Sequence, residues 1–329
     1  MRNRLLTLLS QLSHRRIAVL GDFLLDEFVF GEIARVSREA PVLILRYHET
    51  QCCPGGGANT VANVAALGAE VYPVGVIGGD EAAGRLLELW PDNVSRKFLV
   101  RDPGARTTRK SRVLAGLLHS FRQQVVRIDY EHPLAATLEQ EERLLAALEG
   151  ALAEAEALII SDYTLGTVTP ALARKAVNAA RSRKLPVVAD SRDHPAGFAG
   201  ATAVTPNISE VEAAMMRPAG GETSRLEELG REARQRFGVE ALLVTRGKWG
   251  MSLFTDDSVL HIPPYGVEEA VDVTGAGDTV AAVFGTALAA GATPEDAARL
   301  ANLAGGLVVA KKGTATVSVQ ELERAVQDA

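Results

Sequence analysis

The chain has 329 residues, of which 47% are hydrophobic and 23% are charged, which is typical of a globular protein with one large domain or two small ones. Its net charge is −6, and no basic run is long enough to track a phosphate backbone, which argues against general nucleic-acid binding. No apolar run reaches the length of a membrane span.

The first predicted elements are a helix and a buried strand. Leucines recur at helical spacing before Arg16 and no signal cleavage site follows them, which predicts a helix that docks on the domain. The apolar run from 16 to 21 then predicts a buried strand. Asp22 and Asp26 follow it, and carboxylates in that position commonly contact ligand hydroxyls, so we expect both to bind substrate; a turn cap is the alternative for Asp22.

Two segments have strand-like sequence beside this core, at residues 28–50 and 95–129, and together they predict a small sheet. Cationic residues alternate with apolar ones in the second segment, and arginine is suited to a phosphate-bearing ligand. A solvated strand face is the alternative explanation. The cationic residues are Arg106, Arg109, Lys110, Arg112, Arg122 and Arg127.

Between these segments lie the chain's cysteines and a glycine run. Cys52 and Cys53 are adjacent, which is poor geometry for a disulfide, and we therefore expect a reduced, cytoplasmic protein. Three glycines then lead into a helix that carries Asn59 and Asn63. The run fails the dinucleotide-binding pattern because Thr60 stands in place of its third glycine, and the chain has no P-loop sequence.

The rest of the chain alternates between strands and helices, which predicts an α/β fold with a mostly parallel sheet covered by helices on both faces. Polar residues lie at or just past strand ends, among them Asp162, Asp190, Asn207 and Glu210. The predicted strands are 71–76, 157–161, 186–190, 202–205 and 240–245, and the predicted helices are 80–89, 137–155, 169–183 and 222–237.

A glycine-bearing turn near the C-terminus carries the most specific chemistry. Gly275 and Gly277 precede an alanine-rich helix, whose first N–H groups have no partner within the helix and favour an anion. Asp278 places a carboxylate in the same first turn, where it can take a proton from an attacking hydroxyl. The alternative is that Thr274 or Asp278 only caps the helix.

The string Asp272–Asp278 and the glycine run at 54–68 resemble the two signatures of the ribokinase-like (PfkB) sugar kinases, and the resemblance covers essentially the whole chain. It implies a ribokinase-like fold with a mostly parallel sheet, helices on both faces and a small β-sheet lid. It also implies a single kinase domain over residues 1–329, with lid strands from 28–50 and 95–129 and no second catalytic domain. Lids of this family often make dimer contacts, so we expect a homodimer through the lid.

The resemblance also implies roles for individual residues. Asp278 would be the catalytic base, and the N–H groups of Gly275, Ala276 and Gly277 would hold the developing charge. ATP would contact Asn207, Thr245, Gly247, Thr274 and Asn302, with Mg²⁺ organised through Asn207 and Glu210 and a monovalent cation such as K⁺ as a further cofactor. A capping box explains the spacing of Asn207 and Glu210 equally well, and a polar helix face explains Asn302. Asp22, Asp26, Gly56, Gly57 and Asn59 would contact the sugar.

Several segments resemble, more narrowly, the kinases of D-glycero-β-D-manno-heptose 7-phosphate, which supply the lipopolysaccharide core pathway. These segments are 21–22, 25–26, 35–41, 110–113, 123–124, 127–129, 161–163 and 205–210. The resemblance implies phosphorylation of O1, with Glu39, Lys110, Arg112, Gln124 and Arg127 as substrate contacts.

Two positions depart from that narrower pattern. Arg38 replaces a proline, and Thr164-Leu165 replaces Gly-Lys. The lid arginines can supply the positive charge that the lysine would have carried. Another sugar, sugar-phosphate or nucleoside kinase of the family remains an alternative, as does a non-catalytic regulator that binds a sugar phosphate.

Overall fold

Apolar strands and amphipathic helices build two sheets in the computed structural model, which describes residues 1–116, 123–134, 137–220, 222–266 and 270–328. The strands are β1 (Arg16–Gly21), β2 (Phe23–Val36), β3 (Leu43–Gly56), β4 (Glu70–Ile77), β5 (Leu99–Arg101), β6 (Thr108–Gly116), β7 (Gln123–Tyr130), β8 (Ala157–Asp162), β9 (Val187–Ser191), β10 (Ala203–Val204), β11 (Ala241–Thr245), β12 (Met251–Phe254) and β13 (Val259–Ile262). The α-helices are α1 (Arg2–Leu12), α2 (Gly57–Ala66), α3 (Glu81–Leu89), α4 (Leu138–Glu154), α5 (Pro170–Ser182), α6 (Ile208–Met215), α7 (Thr223–Phe237), α8 (Ala276–Ala289), α9 (Pro294–Val308) and α10 (Val319–Asp328).

The large sheet has nine strands in the order β13-β12-β11-β10-β9-β8-β1-β4-β5. Its strands from β11 to β5 pair in parallel, and the hairpin of β12 and β13 adds an antiparallel edge. The chain leaves β1 towards β4 on one side and later returns to β8 on the other. The strand order therefore reverses between β1 and β8, and ligands of open α/β sheets bind at such a switch point, beyond the carboxyl ends of the strands.

Helices cover both faces of this sheet because alternate side chains of each strand point to opposite sides. Ala18 and Leu20 of β1 pack in a buried cluster with α4, α5 and α7. Ile17 and Val19 face the other side, where they pack with α2 and α3. Next to that second cluster, α1 buries its leucines against α8, α9 and α10, as expected of a docking helix.

Small residues allow α8 to lie close to the sheet. A Cβ on Gly285 would come within 2.7 Å of Ile159 Cγ1 in β8, so a larger residue there would push the helix outward. The helix is buried from Asp278 to Ala287. This close packing fixes the N-terminus of α8 beyond the carboxyl ends of the central strands.

The small sheet has the order β3-β2-β6-β7, and β2 reaches it directly from the carboxyl end of β1. Two of its strands, β2 and β3, cover most of the expected segment 28–50, and β3 continues into the glycine run as far as Gly56. The expected segment 95–129 divides, because β5 pairs with β4 in the large sheet and only β6 and β7 join the small one. Arg122 lies outside the described residues.

The α/β fold with a mostly parallel sheet, helices on both faces and a separate small sheet is confirmed. Cys52 and Cys53 are free thiols. Within the described part of the chain, no helix is both long and apolar enough to cross a membrane.

Candidate active site

Asp278 lies in the first turn of α8 with its side chain almost fully buried. Its Oδ2 accepts a hydrogen bond of 2.9 Å from Asn59 Nδ2, and the hydroxyl of Tyr163 lies 2.9 Å from Oδ1 and 3.1 Å from Oδ2. Thr60 Oγ1 adds a longer contact of 3.4 Å to Oδ1. Donors from α2 and from the loop after β8 therefore fix the orientation of this carboxylate.

Burial raises the pKa of Asp278 to about 7, the hydrogen bonds from Asn59 and Tyr163 oppose that rise, and the charge of Asp190 adds to it. Burial and the neighbouring Asp278 also raise the pKa of Tyr163 well above its usual value. The tyrosine therefore stays protonated and donates to the carboxylate. A buried carboxylate that titrates near neutral pH is suited to accept a proton.

The turn before α8 has a backbone shape that requires glycine. Gly275 has φ +79°, and a Cβ on it would lie 2.4 Å from Asn59 Nδ2. Asp272 stabilises the turn by accepting hydrogen bonds from the N–H groups of Thr274 and Gly313.

The N–H of Ala276 does not point freely into the site, because it donates to the carbonyl of Val273 at 3.2 Å. This finding corrects the expectation that Gly275, Ala276 and Gly277 together supply the anion-binding N–H groups. Gly277 and Asp278 are the remaining first-turn residues whose N–H groups have no acceptor within a helix.

Asn59 was expected to contact the sugar, but its amide is committed to the carboxylate of Asp278 and to the carbonyl of Gly275, at 3.4 Å. Asn63 supports it by donating to its carbonyl oxygens and accepting from Thr279 at 2.9 Å. The two asparagines therefore tie α2 to α8 and position the carboxylate of Asp278.

A cavity of about 40 Å³ opens between Asp278 and the small sheet, and we call it the lid-side cavity. Asp26 and Arg112 face it as an ion pair of 2.5 Å, and Lys110 pairs with Glu131 at 3.1 Å. Burial raises the pKa of Asp26, against the opposing charge of Arg112. Its lining residues are Leu24, Asp26, Gly56, Lys110, Arg112, Tyr163, Arg192, Thr274, Gly275, Asp278 and Thr314.

Asp22 does not line this cavity but borders a smaller one, and its direct contact with substrate stays a prediction. Its carboxylate accepts hydrogen bonds from the backbone N–H groups of Tyr163, Leu165 and Thr167, at 2.9 to 3.1 Å. Asp22 therefore shapes the loop that carries Tyr163. The N–H of Gly57, the first residue of α2, is also bonded within the protein, because it donates to the carbonyl of Asp22 at 2.9 Å.

The structure leaves three predicted substrate contacts away from Asp278. Glu39 is exposed in the turn between β2 and β3. Gln124 and Arg127 lie on β7, where every residue is exposed, and Arg127 pairs with Asp129 at 2.8 Å. None of these three residues lines the lid-side cavity.

A larger pocket of about 220 Å³ lies on the other side of the α8 N-terminus, and we call it the glycine-rich pocket. Thr245, Gly247 and Asn302 line it, as does Gly277. Asn302 donates to the carbonyl of Pro263 at 2.9 Å, so part of its amide serves the wall of the pocket. Thr274, expected to contact the same cofactor, faces the lid-side cavity instead.

Asn207 and Glu210 form the capping box of α6, the alternative that the spacing had left open. The N–H of Glu210 donates to Asn207 Oδ1 at 3.0 Å, and the N–H of Asn207 donates to Glu210 Oε2 at 2.8 Å. Burial raises the pKa of Glu210 to about 7, against the N–H of Asn207, and the charge of Asp190 adds to the rise. In the described ranges, no cluster of three or more His, Cys, Asp and Glu side chains is arranged to hold a metal.

Sequence reasoning did not assign roles to Tyr163, Arg192 or Thr60, all of which lie at the site. Tyr163 belongs to a quoted segment, and Thr60 was read only as a missing glycine. Their position past a strand end or in the first turn of a helix was the available signal.

The chain is similar to known proteins along most of its length. Residues 17–321 match the family model described as pfkB family carbohydrate kinase. A bifunctional protein HldE from Gluconobacter oxydans is 42% identical over 318 residues, which are 94% of this chain and 64% of that protein. The chain thus spans less than two thirds of that relative. A D-beta-D-heptose 7-phosphate kinase from Bordetella bronchiseptica is 40% identical over 95% of this chain and 96% of its own length.

Solved structures show the same fold at low sequence identity. Phosphofructokinase-2 from Escherichia coli, in complex with potassium, has a TM-score of 0.75 at 20% identity and covers 96% of this chain and 99% of that one. Ribokinase from Arabidopsis thaliana, complexed with ribose and ATP, has a TM-score of 0.70 at 20% identity, with coverages of 96% and 98%. The ribokinase-like fold is therefore confirmed.

Proposed function

The chain belongs to the pfkB family of carbohydrate kinases, and we propose that it transfers the γ-phosphoryl group of ATP to O1 of D-glycero-β-D-manno-heptose 7-phosphate. The relative from Bordetella bronchiseptica, which the chain matches over nearly its whole length, supports this substrate. One observation carries the reaction: the first turn of α8 borders both pockets, with Asp278 on the lid-side cavity and Ala276 and Gly277 on the glycine-rich pocket.

Asp278 is the general base in this proposal. The sugar hydroxyl enters the lid-side cavity and gives its proton to the carboxylate, while its oxygen attacks the γ-phosphorus in line with the departing ADP. The hydrogen bonds from Asn59 and Tyr163 favour the charged carboxylate and fix its direction. The near-neutral pKa leaves the base largely ionised at slightly alkaline pH and still basic enough to take a proton.

The glycine-rich pocket takes the nucleotide. Its walls near Thr245, Gly247 and Asn302 suit an adenosine moiety. The first-turn N–H groups of Gly277 and Asp278 would be the donors for the charge that develops during transfer. The positive end of the helix dipole acts in the same direction. ATP thus lies across the helix start, with its terminal phosphate next to the cavity that holds the sugar.

Glu210 fits a magnesium role better than Asn207. Mg²⁺ in kinases usually binds one or two carboxylates together with phosphate oxygens and water. Only Oε2 of Glu210 is used in the capping box, whereas Asn207 Oδ1 accepts the N–H of Glu210. A bound Mg²⁺ would offset the negative charge of the phosphates. Any requirement for K⁺ is proposed only by analogy with the potassium complex of the fold relative.

The residues of the small sheet favour a phosphorylated sugar as substrate and a homodimer as the assembly. Arg112 and Lys110 line the wall of the lid-side cavity, where a substrate phosphate would have to compete with Asp26 and Glu131 for them. The other side of the small sheet exposes apolar residues, including Val126, Ile128 and Tyr130 of β7. We propose that these surfaces pair in a homodimer of a single kinase domain. The cytoplasmic location stays a prediction.

The test is ADP release with ATP and Mg²⁺, comparing D-glycero-D-manno-heptose 7-phosphate with fructose 6-phosphate, ribose and adenosine. We expect activity with the heptose phosphate and a loss of about 10²–10⁴ in rate in Asp278→Asn. Activity only with another acceptor would support the kinase reaction but overturn the assignment of the heptose phosphate as substrate. A catalytically silent protein that binds the heptose phosphate would favour a regulator.

A further inference from the structure

Arg192 lies one residue beyond the carboxyl end of β9, in an exposed position at the rim of the lid-side cavity. Its guanidinium carbon is 4.2 Å from the centroid of the Tyr163 ring, close enough for a cation–π contact. The hydroxyl of the same tyrosine donates to Asp278. Tyr163 thus contacts Asp278 through its hydroxyl and Arg192 through the face of its ring.

The other two cations of the cavity are already paired. Arg112 is held by Asp26 and Lys110 by Glu131. Arg192 has no carboxylate within ion-pair distance among the residues that the structure describes. Its five N–H donors and its charge are therefore available to an anionic ligand.

The surrounding carboxylates show which part of the site this charge reaches. The positive charge of Arg192 lowers the pKa of Asp278, Asp190 and Glu210, and also that of Asp26 on the lid side, although burial outweighs it at each. Asp190 Oδ2 also lies only 3.8 Å from where a Cβ on Gly277 would stand. Arg192 therefore acts on the region around the first turn of α8, where the two pockets meet.

From these contacts we infer that Arg192 binds the phosphoryl group during its transfer and neutralises the charge that develops on its oxygens. This inference rests on the proposed kinase reaction. In that step the O–P bond to the sugar forms and the P–O bond to ADP breaks, the proton passes to Asp278, and the electron pair leaves with ADP. Arg192 exchanges neither protons nor electrons.

A contact with the 7-phosphate is the competing role for the same guanidinium. The reacting hydroxyl must lie against Asp278, and Tyr163 connects Asp278 directly to Arg192. The 7-phosphate is at the opposite end of a seven-carbon sugar from O1. The position of Arg192 therefore favours the transferred phosphoryl group.

The kinetic test compares Arg192→Gln with the wild type and with Arg183→Gln, a control on an exposed residue that bonds only a helix carbonyl. We expect kcat to fall by about 10² or more, since an arginine that stabilises phosphoryl transfer contributes on the order of 10³–10⁵. KM for both substrates should stay within about threefold. Added guanidinium ion should restore part of the activity of Arg192→Ala. A raised KM for the sugar phosphate with unchanged kcat would instead assign Arg192 to the 7-phosphate.

A binding test separates this inference from the choice of sugar. ADP with Mg²⁺ and aluminium fluoride imitates a phosphoryl group in transfer, and its affinity can be compared by calorimetry with that of ADP and Mg²⁺ alone. The wild type should gain at least about tenfold in affinity from the fluoride complex, and Arg192→Gln should lose most of that gain while keeping its affinity for ADP. Equal gains in the two proteins, or no gain in either, would overturn the inference whichever sugar is the substrate.

Discussion

Asn59 Nδ2 in α2 lies 2.9 Å from Asp278 Oδ2 in α8, although 219 residues separate them along the chain. This bond is one of several that join the two glycine-bearing motifs at the base. Because the bond favours the ionised carboxylate, Asn59 lowers the pKa of Asp278 against the effect of burial. The asparagine of the first motif therefore serves the chemistry of the second.

We expect Asn59→Leu to raise the pKa of Asp278 further, because it removes this donor at similar volume. A hydrogen bond to a charged group is worth about 1.5–3 kcal/mol, so the acidic limb of the kcat/KM profile should move up by about one pH unit or more. The wild-type limb should lie near pH 7. Thr60→Val removes only a 3.4 Å contact and should move the limb much less. Coincident limbs for wild type and Asn59→Leu would contradict this role.

Gly275→Ala should damage the site, whereas Gly277→Ala should fold normally. A Cβ at Gly275 meets Asn59 Nδ2 at 2.4 Å and needs a positive φ, but one at Gly277 meets nothing closer than 3.8 Å. We expect Gly275→Ala to lose roughly 1–3 kcal/mol in free energy of unfolding, together with most activity. Urea unfolding of both variants provides the comparison, and equal stability would show that the turn relaxes without cost.

The free energy of unfolding of Asp278→Asn should depend less on pH than that of the wild type. The folded-state pKa of about 7 exceeds the usual value of 3.8 for an aspartate, so the native state binds the extra proton between these values. Stability from this group is thus complete below about pH 4 and is lost as pH rises through 7. Between pH 5 and 8 the wild type should lose roughly 2–4 kcal/mol more than Asp278→Asn. Parallel pH dependences in urea unfolding would disprove the burial effect.

Asp22→Ala should loosen the loop that carries Tyr163. It removes the acceptor for three backbone N–H groups, two of them buried, and should lower the free energy of unfolding by roughly 2–4 kcal/mol. Asp22→Asn keeps one acceptor oxygen and should lose less. Denaturant unfolding measures the difference. An unchanged stability in Asp22→Ala, with a raised KM for the sugar, would instead support the direct substrate contact expected of this residue.

Local sequence patterns predicted most of the large sheet, because long apolar runs and helical periodicity depend on neighbouring residues. Helix α5, for example, was expected at 169–183 and spans Pro170–Ser182. The hairpin of β12 and β13 was not predicted, since each strand has only four residues and gains its stability from pairing at the sheet edge. The alanine-rich α9 and the C-terminal α10 also received no predicted bounds.

The site was less predictable than the fold. Asp278 was identified from its own motif, but the task of Asn59 depends on how α2 packs against α8. Asp22 follows a strand end, as ligand contacts often do. Nothing in its local sequence shows that a loop beginning 141 residues later directs its N–H groups towards it. Arg192 stands in a polar loop, and only its stacking on Tyr163 distinguishes it from a solvated arginine.

The most direct test of the proposed reaction is ³¹P NMR of the product formed from D-glycero-D-manno-heptose 7-phosphate, ATP and Mg²⁺. We expect a new phosphate resonance coupled to the anomeric proton, next to the unchanged 7-phosphate signal, and no such resonance with Asp278→Asn. A product phosphorylated at another carbon, or ATP hydrolysis to free phosphate with the sugar unchanged, would contradict it.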